Sequence, residues 1–167
     1  DFLRATVAFP GNDHRLGAQE APPAVISIFL GDELGALVES IIEGTEYIEA
    51  GNRTLQIGVD SLPAIPLDNT DRNRTSPIAF TGNKFEFRML GSSFSNADTN
   101  TVINTAVAEE ISRIADILEA CDSEDARIAA LNTVLHETIA AHKRILFDGN
   151  GYSEEWPREA ARRGLPN

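Results

Sequence analysis

Three charged residues alternate along Lys84-Phe85-Glu86-Phe87-Arg88-Met89. In a strand, Lys84, Glu86 and Arg88 share one face and Phe85, Phe87 and Met89 the other, because side chains alternate with a period of two. A face of three charges cannot be buried without partners. One solution is an ordinary half-exposed strand with cross-strand ion pairs. The other is a ligand: Glu86 suits a hard metal ion, and Lys84 with Arg88 suits a carboxylate or phosphate. Just upstream, Arg72-Asn73-Arg74 lies in the polar stretch Asp68–Ser76. Two guanidinium groups there suit bidentate contact with phosphate oxygens, or a solvated turn. A third group, His14, Arg15 and Glu20, lies in the loop Gly11–Ala21. That loop is long enough to act as a lid, with Glu20 as a base or a closing group; a merely solvated glutamate is the plainer reading.

Other reactive residues are less pointed. His136 and His142 are six apart, which does not place them on adjacent helical turns, so they are not read as a metal pair. Cys121 reads as an inert thiol between helices. Asn52-Arg53-Thr54 and Asn73-Arg74-Thr75 fit the glycosylation triplet but are read as chance without a secretory signal. No Walker, GxGxxG or GxSxG pattern occurs.

The charge around the first groups departs from the rest of the chain. Among 167 residues, 26 are acidic and 14 basic, a net charge of −12. The window 71–88 holds four cations (Arg72, Arg74, Lys84, Arg88) and two anions (Asp71, Glu86), so it is +2 and the remainder −14. So acidic a chain is no general nucleic-acid binder, whereas a local basic cluster suits a small anion. A content of 42% hydrophobic and 24% charged residues is that of a globular domain. The longest apolar run, Ala24–Leu30, is interrupted by Ser27 and far short of a membrane span. One cysteine excludes an intrachain disulfide framework and any CxxC motif, and a cytoplasmic location is expected. The chain opens at Asp1 without a methionine or signal peptide, which is read as a fragment of a longer protein.

The elements that must position these groups are read as follows. Residues Phe2–Phe9 alternate loosely and predict a strand, broken by Pro10-Gly11-Asn12-Asp13. Pro22-Pro23 suits a first helical turn, and apolar residues from Val25 to Ile42 recur at three- and four-residue steps, predicting an amphipathic helix over 24–43 stopped by Gly44. Residues 54–66 read as short β-like pieces, and Thr81-Gly82-Asn83 as the turn of a hairpin. A helix begins at Asn100 or Thr101, with Ile103, Val107, Ile111, Ile114 and Leu118 on one stripe. Another opens at Ser123-Glu124-Asp125 and stops near Asp148, and the short loop between them implies an antiparallel pair. A last short helix covers 153–163. The expected fold is α+β, antiparallel strands and a hairpin with packed helices, with residues 1–97 carrying strands, lid and arginines and 98–167 forming a helical part.

Longer stretches resemble one family. GNDHRLGAQEAPPAVISIFLG (11–31), DNTDRNRTSP (68–77), FTGNKFEFRMLGSS (80–93) and FDGNGYSEEW (147–156) are similar, in order, to glutamine synthetase, most closely its long type III bacterial branch. The resemblance spans nearly the whole chain but a minor part of a type III enzyme. It implies part of that family's catalytic domain, making glutamine from glutamate, ammonium and ATP through γ-glutamyl phosphate, with Mg2+ or Mn2+. It implies Arg15 and Arg88 at the glutamate carboxylates and Glu20 as the flap group that closes the site and deprotonates ammonium. It implies Arg74 steadying the transferring phosphoryl group with Arg72 beside it, Lys84 near ATP, and Glu86 as a metal ligand. It further implies a homo-oligomer, and the acidic charge and short apolar runs already argue against nucleic acid and membrane as partners.

Two departures stand out: the stretch from Arg15 to Glu20 is one residue shorter than in the commoner form, and Ser76–Phe80 lacks an expected phosphate-contact arginine. The remaining metal ligands and most of the nucleotide site belong upstream of such a segment, so the segment alone is expected to be inactive. A γ-glutamyl ligase for another amine, or a non-catalytic helical assembly domain, are the competing readings.

Overall fold

The computed structural model describes residues 1–18, 20–48, 54–55, 65–66 and 76–167. The expectations for Arg72, Arg74 and most of the loop around them lie outside the described residues. The fold is mixed α+β.

The chain opens with a single helical turn, α1 (Phe2–Ala5), where a strand was expected. The loose alternation of Phe2–Phe9 is overridden by local bonding: Ala5 N–H donates to the Asp1 carbonyl at 2.9 Å, and Thr6 Oγ1 to the Leu3 carbonyl at 2.7 Å. Tertiary contacts fix the turn. Arg4 Nε donates to the Ala24 carbonyl at 2.9 Å, and the Thr6 and Thr99 hydroxyls meet at 3.0 Å.

The expected long helix over 24–43 divides in two. Its first part is extended and contains strand β1 (Ile28–Phe29); helix α2 covers only Gly31–Glu43. The apolar run from Ala24 fits a period of two as well as 3.6, and here Val25 and Ser27 alternate inward, both fully buried. The β-branched Val25, Ile26 and Ile28 favour the extended form. Gly31, at φ +75°, provides the break that starts α2 after the strand. Asp32 and Glu33 occupy the first turn of α2, and Gly44 ends it in the left-handed conformation as the sequence predicts.

Two short strands, β2 (Thr54–Leu55) and β3 (Ile65–Pro66), pair antiparallel within the expected β-like region. Strands β4 (Ile78–Phe80) and β5 (Phe85–Phe87) form the expected hairpin, closed by a bond from Thr81 N–H to the Lys84 carbonyl at 2.9 Å. The sheet order is β1-β4-β5. It is not wholly antiparallel as expected: β1 runs parallel to β4, with Ile28 opposite Ile78. The free edge of β1 is met by the chain at Leu146–Phe147, where Phe147 N–H donates to the Ile28 carbonyl at 3.0 Å.

Helices α3 (Ala97–Glu119) and α4 (Glu124–His142) form the expected antiparallel pair. The Ser123 hydroxyl caps α4 by accepting from Ala126 N–H at 3.2 Å, and Arg113 of α3 reaches Thr138 of α4 at 3.3 Å. Helix α4 ends at His142, before the expected stop, and passes into a 3-10 turn, Lys143–Ile145. The α3 stripe is only partly covered: Ile103, Ile114 and Leu118 are half-buried, while Val107 and Ile111 are exposed.

Helix α5 (Glu155–Arg162) lies within the expected last helix and completes the core. Trp156 and Ala160, one turn apart, pack with Val25 and Leu165, flanked by Ile145 and Phe147. The Phe147 and Trp156 rings stack at 3.6 Å between centroids, and the Arg163 guanidinium lies 5.6 Å from the Trp156 ring. A buried polar chain ties the core to the sheet: the Ser27 hydroxyl donates to Ser76 Oγ at 2.9 Å, and Ser76 donates to the Phe147 carbonyl at 2.8 Å.

Candidate functional site

The site forms where the loop after α1 crosses the end of β5. Asn12 is its hub, with 1% of its surface exposed. Asn12 Nδ2 donates to the Val7 carbonyl at 3.0 Å and to the Met89 carbonyl at 3.2 Å. Its Oδ1 accepts from Arg15 Nε at 3.1 Å, and Arg15 Nη2 donates to the same Met89 carbonyl. Arg15 is itself buried, and two of its three guanidinium nitrogens are thereby committed to the protein. The partners of this buried cation among the described residues are neutral oxygens, which is favourable ground for an anion. Gly91 permits this crossing. A Cβ there would lie 2.5 Å from the Phe94 ring and 3.1 Å from Asn12 Oδ1, closer than side chains approach.

Arg15 and Arg88 line one small cavity with Leu16, Ala21, Pro22, Ser76, Pro77 and Met89. Its volume of about 20 Å³ admits roughly one water molecule. A larger ligand therefore needs the loop carrying Leu16 and Ala21 to move outward. Arg88 links this cavity to the charged row along β5. Glu86 lies between its neighbours, with Oε1 3.2 Å from Lys84 Nζ and Oε2 3.1 Å from Arg88 Nη2. Hydrogen bonds from Lys84, then from Arg88, hold the Glu86 carboxyl below its ordinary pKa, so it is ionised at neutral pH. The expectation that the three side chains share a face thus holds, and on that face they form an ion-paired row.

The loop 11–21 is tied at both ends. The Asn12 and Arg15 bonds fix its start; at its end, Gly17 N–H donates to the Ala21 and Pro22 carbonyls at 3.0 and 3.1 Å. Glu20 is exposed beside the cavity wall at Ala21, and its backbone carbonyl accepts from the Tyr152 hydroxyl at 3.2 Å.

A metal ion implied by the resemblance does not fit these residues alone. Among the described residues no group of three or more His, Cys, Asp or Glu side chains is placed to hold an ion. A hard divalent cation takes about six or more oxygen ligands, and Glu86 offers two at most. His136 instead places Nε2 3.1 Å from the Ile42 carbonyl.

The structure thus brings together Arg15, Arg88, Glu86 and Lys84 and sets Glu20 at their margin. Asn12 and Tyr152 were not singled out from the sequence. The signal for Asn12 was only its place beside Pro10-Gly11, and for Tyr152 only its place within FDGNGYSEEW.

Comparison with known proteins gives a consistent result. The family model described as glutamine synthetase C-terminal domain matches residues 130–167. A "Type-3 glutamine synthetase" of Dictyostelium discoideum is 48% identical over 167 residues, covering all of this chain and 23% of that protein. A "Glutamine synthetase" of Bacteroides fragilis is 46% identical over 171 residues, covering all of this chain and 24% of the relative. One of Butyrivibrio fibrisolvens is 46% identical over 166 residues, covering 99% and 23%. The chain therefore spans about a quarter of the length of the curated relatives it matches, and it is related to them from end to end.

Proposed function

We propose, from the premise that this chain is a segment of glutamine-synthetase type, that it supplies the glutamate-binding side of an ATP-dependent glutamate–ammonia ligase. The observation that carries the reading is the pairing of Arg15 and Arg88 around one cavity. Two guanidinium groups at one opening suit a dicarboxylate substrate, because each positive charge attracts one carboxylate. The half-buried Arg88 and the buried Arg15 are also desolvated, which strengthens their attraction for an anion.

The reaction transfers the γ-phosphoryl group of ATP to the glutamate side-chain carboxylate, and ammonia then displaces phosphate from the acyl carbon. Such a transfer needs positioning and cationic stabilisation more than covalent help from the protein. The resemblance gives Arg74 and Arg72 to the phosphoryl oxygens, Lys84 to ATP and Glu86 to a divalent ion. Glu20, exposed on the loop beside the cavity, is the base that takes a proton from ammonium and the group that shuts the site. Glutamate, ammonium and ATP are thus substrates of the longer protein, in which copies assemble together. The segment alone, in which the resemblance gives Glu86 to the metal and no group of three or more possible ligands forms among the described residues, is inactive.

The test is ATP- and glutamate-dependent phosphate release by the full-length protein, with and without ammonium. Release that requires ammonium and is lost in Arg88→Ala with the fold kept supports the reading. Release that requires a different amine identifies a related γ-glutamyl ligase. No release by folded, metal-loaded protein overturns the ligase reading.

A further inference from the structure

We infer that Tyr152 is a positioning residue, a latch that holds the loop bearing Glu20 over the Arg15/Arg88 cavity. The inference rests on the reading of Glu20 above, and the experiment below separates the two. The contact is specific: the Tyr152 hydroxyl donates to the Glu20 backbone carbonyl at 3.2 Å, across 132 residues of sequence. It leaves the Glu20 carboxylate uncommitted to the latch, so the backbone is held while the side chain remains available.

The post from which Tyr152 reaches is rigid. Asn150 shapes its turn, with Oδ1 accepting from Tyr152 N–H at 3.0 Å and its carbonyl accepting from Ser153 N–H at 3.1 Å. Asp148 accepts from Leu30 N–H at 3.1 Å, and Phe147 is fixed by the Ser76 hydroxyl and the Trp156 stack. Ser76 also lines the cavity. Post and the Ser76 wall of the cavity are therefore joined, and the Tyr152 bond ties the loop to that joined unit. With its start bound through Asn12 and Arg15, the loop is tied near its far end by the long-range bond from Tyr152 to Glu20.

A latch of this kind controls water. If the loop opens while the acyl phosphate waits for ammonia, water attacks the acyl carbon, the carbon–oxygen bond to phosphate breaks, and glutamate is regenerated. Each such event consumes one ATP and releases one phosphate without glutamine. A merely structural residue lowers glutamine and phosphate together; a latch changes their ratio.

The experiment is Tyr152→Phe in the full-length protein, which keeps the ring and removes only the donor. Two readouts are taken: the ratio of glutamine formed to phosphate released, and backbone amide exchange over residues 16–21. Loss of one hydrogen bond is expected to speed exchange there about fivefold. The ratio is expected to fall clearly below one, while wild type stays at one. Unchanged exchange, or rates that fall together at a ratio of one, overturns the latch. If wild type shows no ammonium-dependent release, the ligase reading fails, and exchange in Tyr152→Phe still decides whether the tyrosine holds the loop.

Discussion

Removing the Asn12 side chain tests whether the Arg15 site is built the way its geometry indicates. Asn12→Ala deletes two neutral hydrogen bonds, to the Val7 and Met89 carbonyls, and one charge-assisted bond from Arg15. Neutral bonds contribute about 0.5–1.5 kcal/mol each and a bond to a charged group about 1.5–3. The Met89 carbonyl keeps its bond from Arg15, so the loss belongs near the lower end, about 2.5–4 kcal/mol. Melting of the full-length protein falls accordingly. The site effect is separate. Arg15 loses one of its two anchors, and a shortfall of about 1.4 kcal/mol in its placement raises the glutamate requirement roughly tenfold. The ATP requirement stays unchanged. The assay is phosphate release against glutamate and against ATP, with melting measured on the same samples. Asn12→Asp is a second check: it keeps an acceptor for Arg15 but sets a carboxylate against that guanidinium and turns an oxygen toward two carbonyls, so it lowers melting and, by pairing Arg15, also raises the glutamate requirement. A glutamate requirement that does not move in Asn12→Ala, in protein that melts lower as expected, refutes the link from Asn12 through Arg15 to glutamate.

Other outcomes follow from the core and the charge pairs. Ser76→Ala strands the buried Ser27 hydroxyl and deprives the Phe147 carbonyl of its donor, so it costs about 1–3 kcal/mol and lowers melting more than Ser27→Ala, which breaks only the first link. Trp156→Ala removes a ring that is 2% exposed and stacked on Phe147, and is expected to cost about 3–5 kcal/mol, read as a fall in the denaturation midpoint. Glu159 is held at a pKa of about 2, against an ordinary 4.5, by hydrogen bonds from Arg162 and Arg163. Its folded pKa lies below its unfolded one, so its contribution is complete above pH 4.5 and is lost as the pH falls toward 2. The melting difference between wild type and Glu159→Gln is therefore flat above about pH 5 and shrinks toward pH 2; a gap as wide near pH 2 as at pH 5 refutes the pairing.

The elements that read most clearly in the sequence were those whose signal is local. The hairpin announced itself by Thr81-Gly82-Asn83 between alternating residues, α4 by its capping serine and first-turn acids, and α2 by its stop at Gly44. The misreadings occurred where a local pattern fits two structures. Ala24–Leu30 satisfies both helical and extended periods, and its pairing with β4, some fifty residues on, selects the extended one. Phe2–Phe9 alternates loosely, yet its partners are side chains of α3 and the chain at Ala24. The site divides along the same line. The charged face of β5 is visible because residues two apart must share it. Asn12, Ser76 and Tyr152 are not, because each acts on a group 71 to 132 residues away. Nothing in composition or spacing distinguishes an asparagine that organises a buried arginine from one that merely starts a turn.

The Ser76–Phe147 bond has a consequence for how the protein is made. A ribosome finishes the lining residues of the Arg15/Arg88 cavity once Met89 has been added, but the wall at Ser76 lacks its anchor until Phe147 emerges, 58 residues later (147 − 89). At ordinary synthesis rates that interval is roughly 3–12 s. Throughout it, β1 has one edge bare and the Ser76 hydroxyl lacks its acceptor on Phe147. The nascent chain therefore spends seconds with an open strand next to an apolar run, the condition in which holding chaperones engage. Ribosome pausing between the codons for Leu90 and Phe147 should lower the yield of soluble protein far more than pausing of equal length after the codon for Leu165, when Trp156, Ala160 and Leu165 have closed the core.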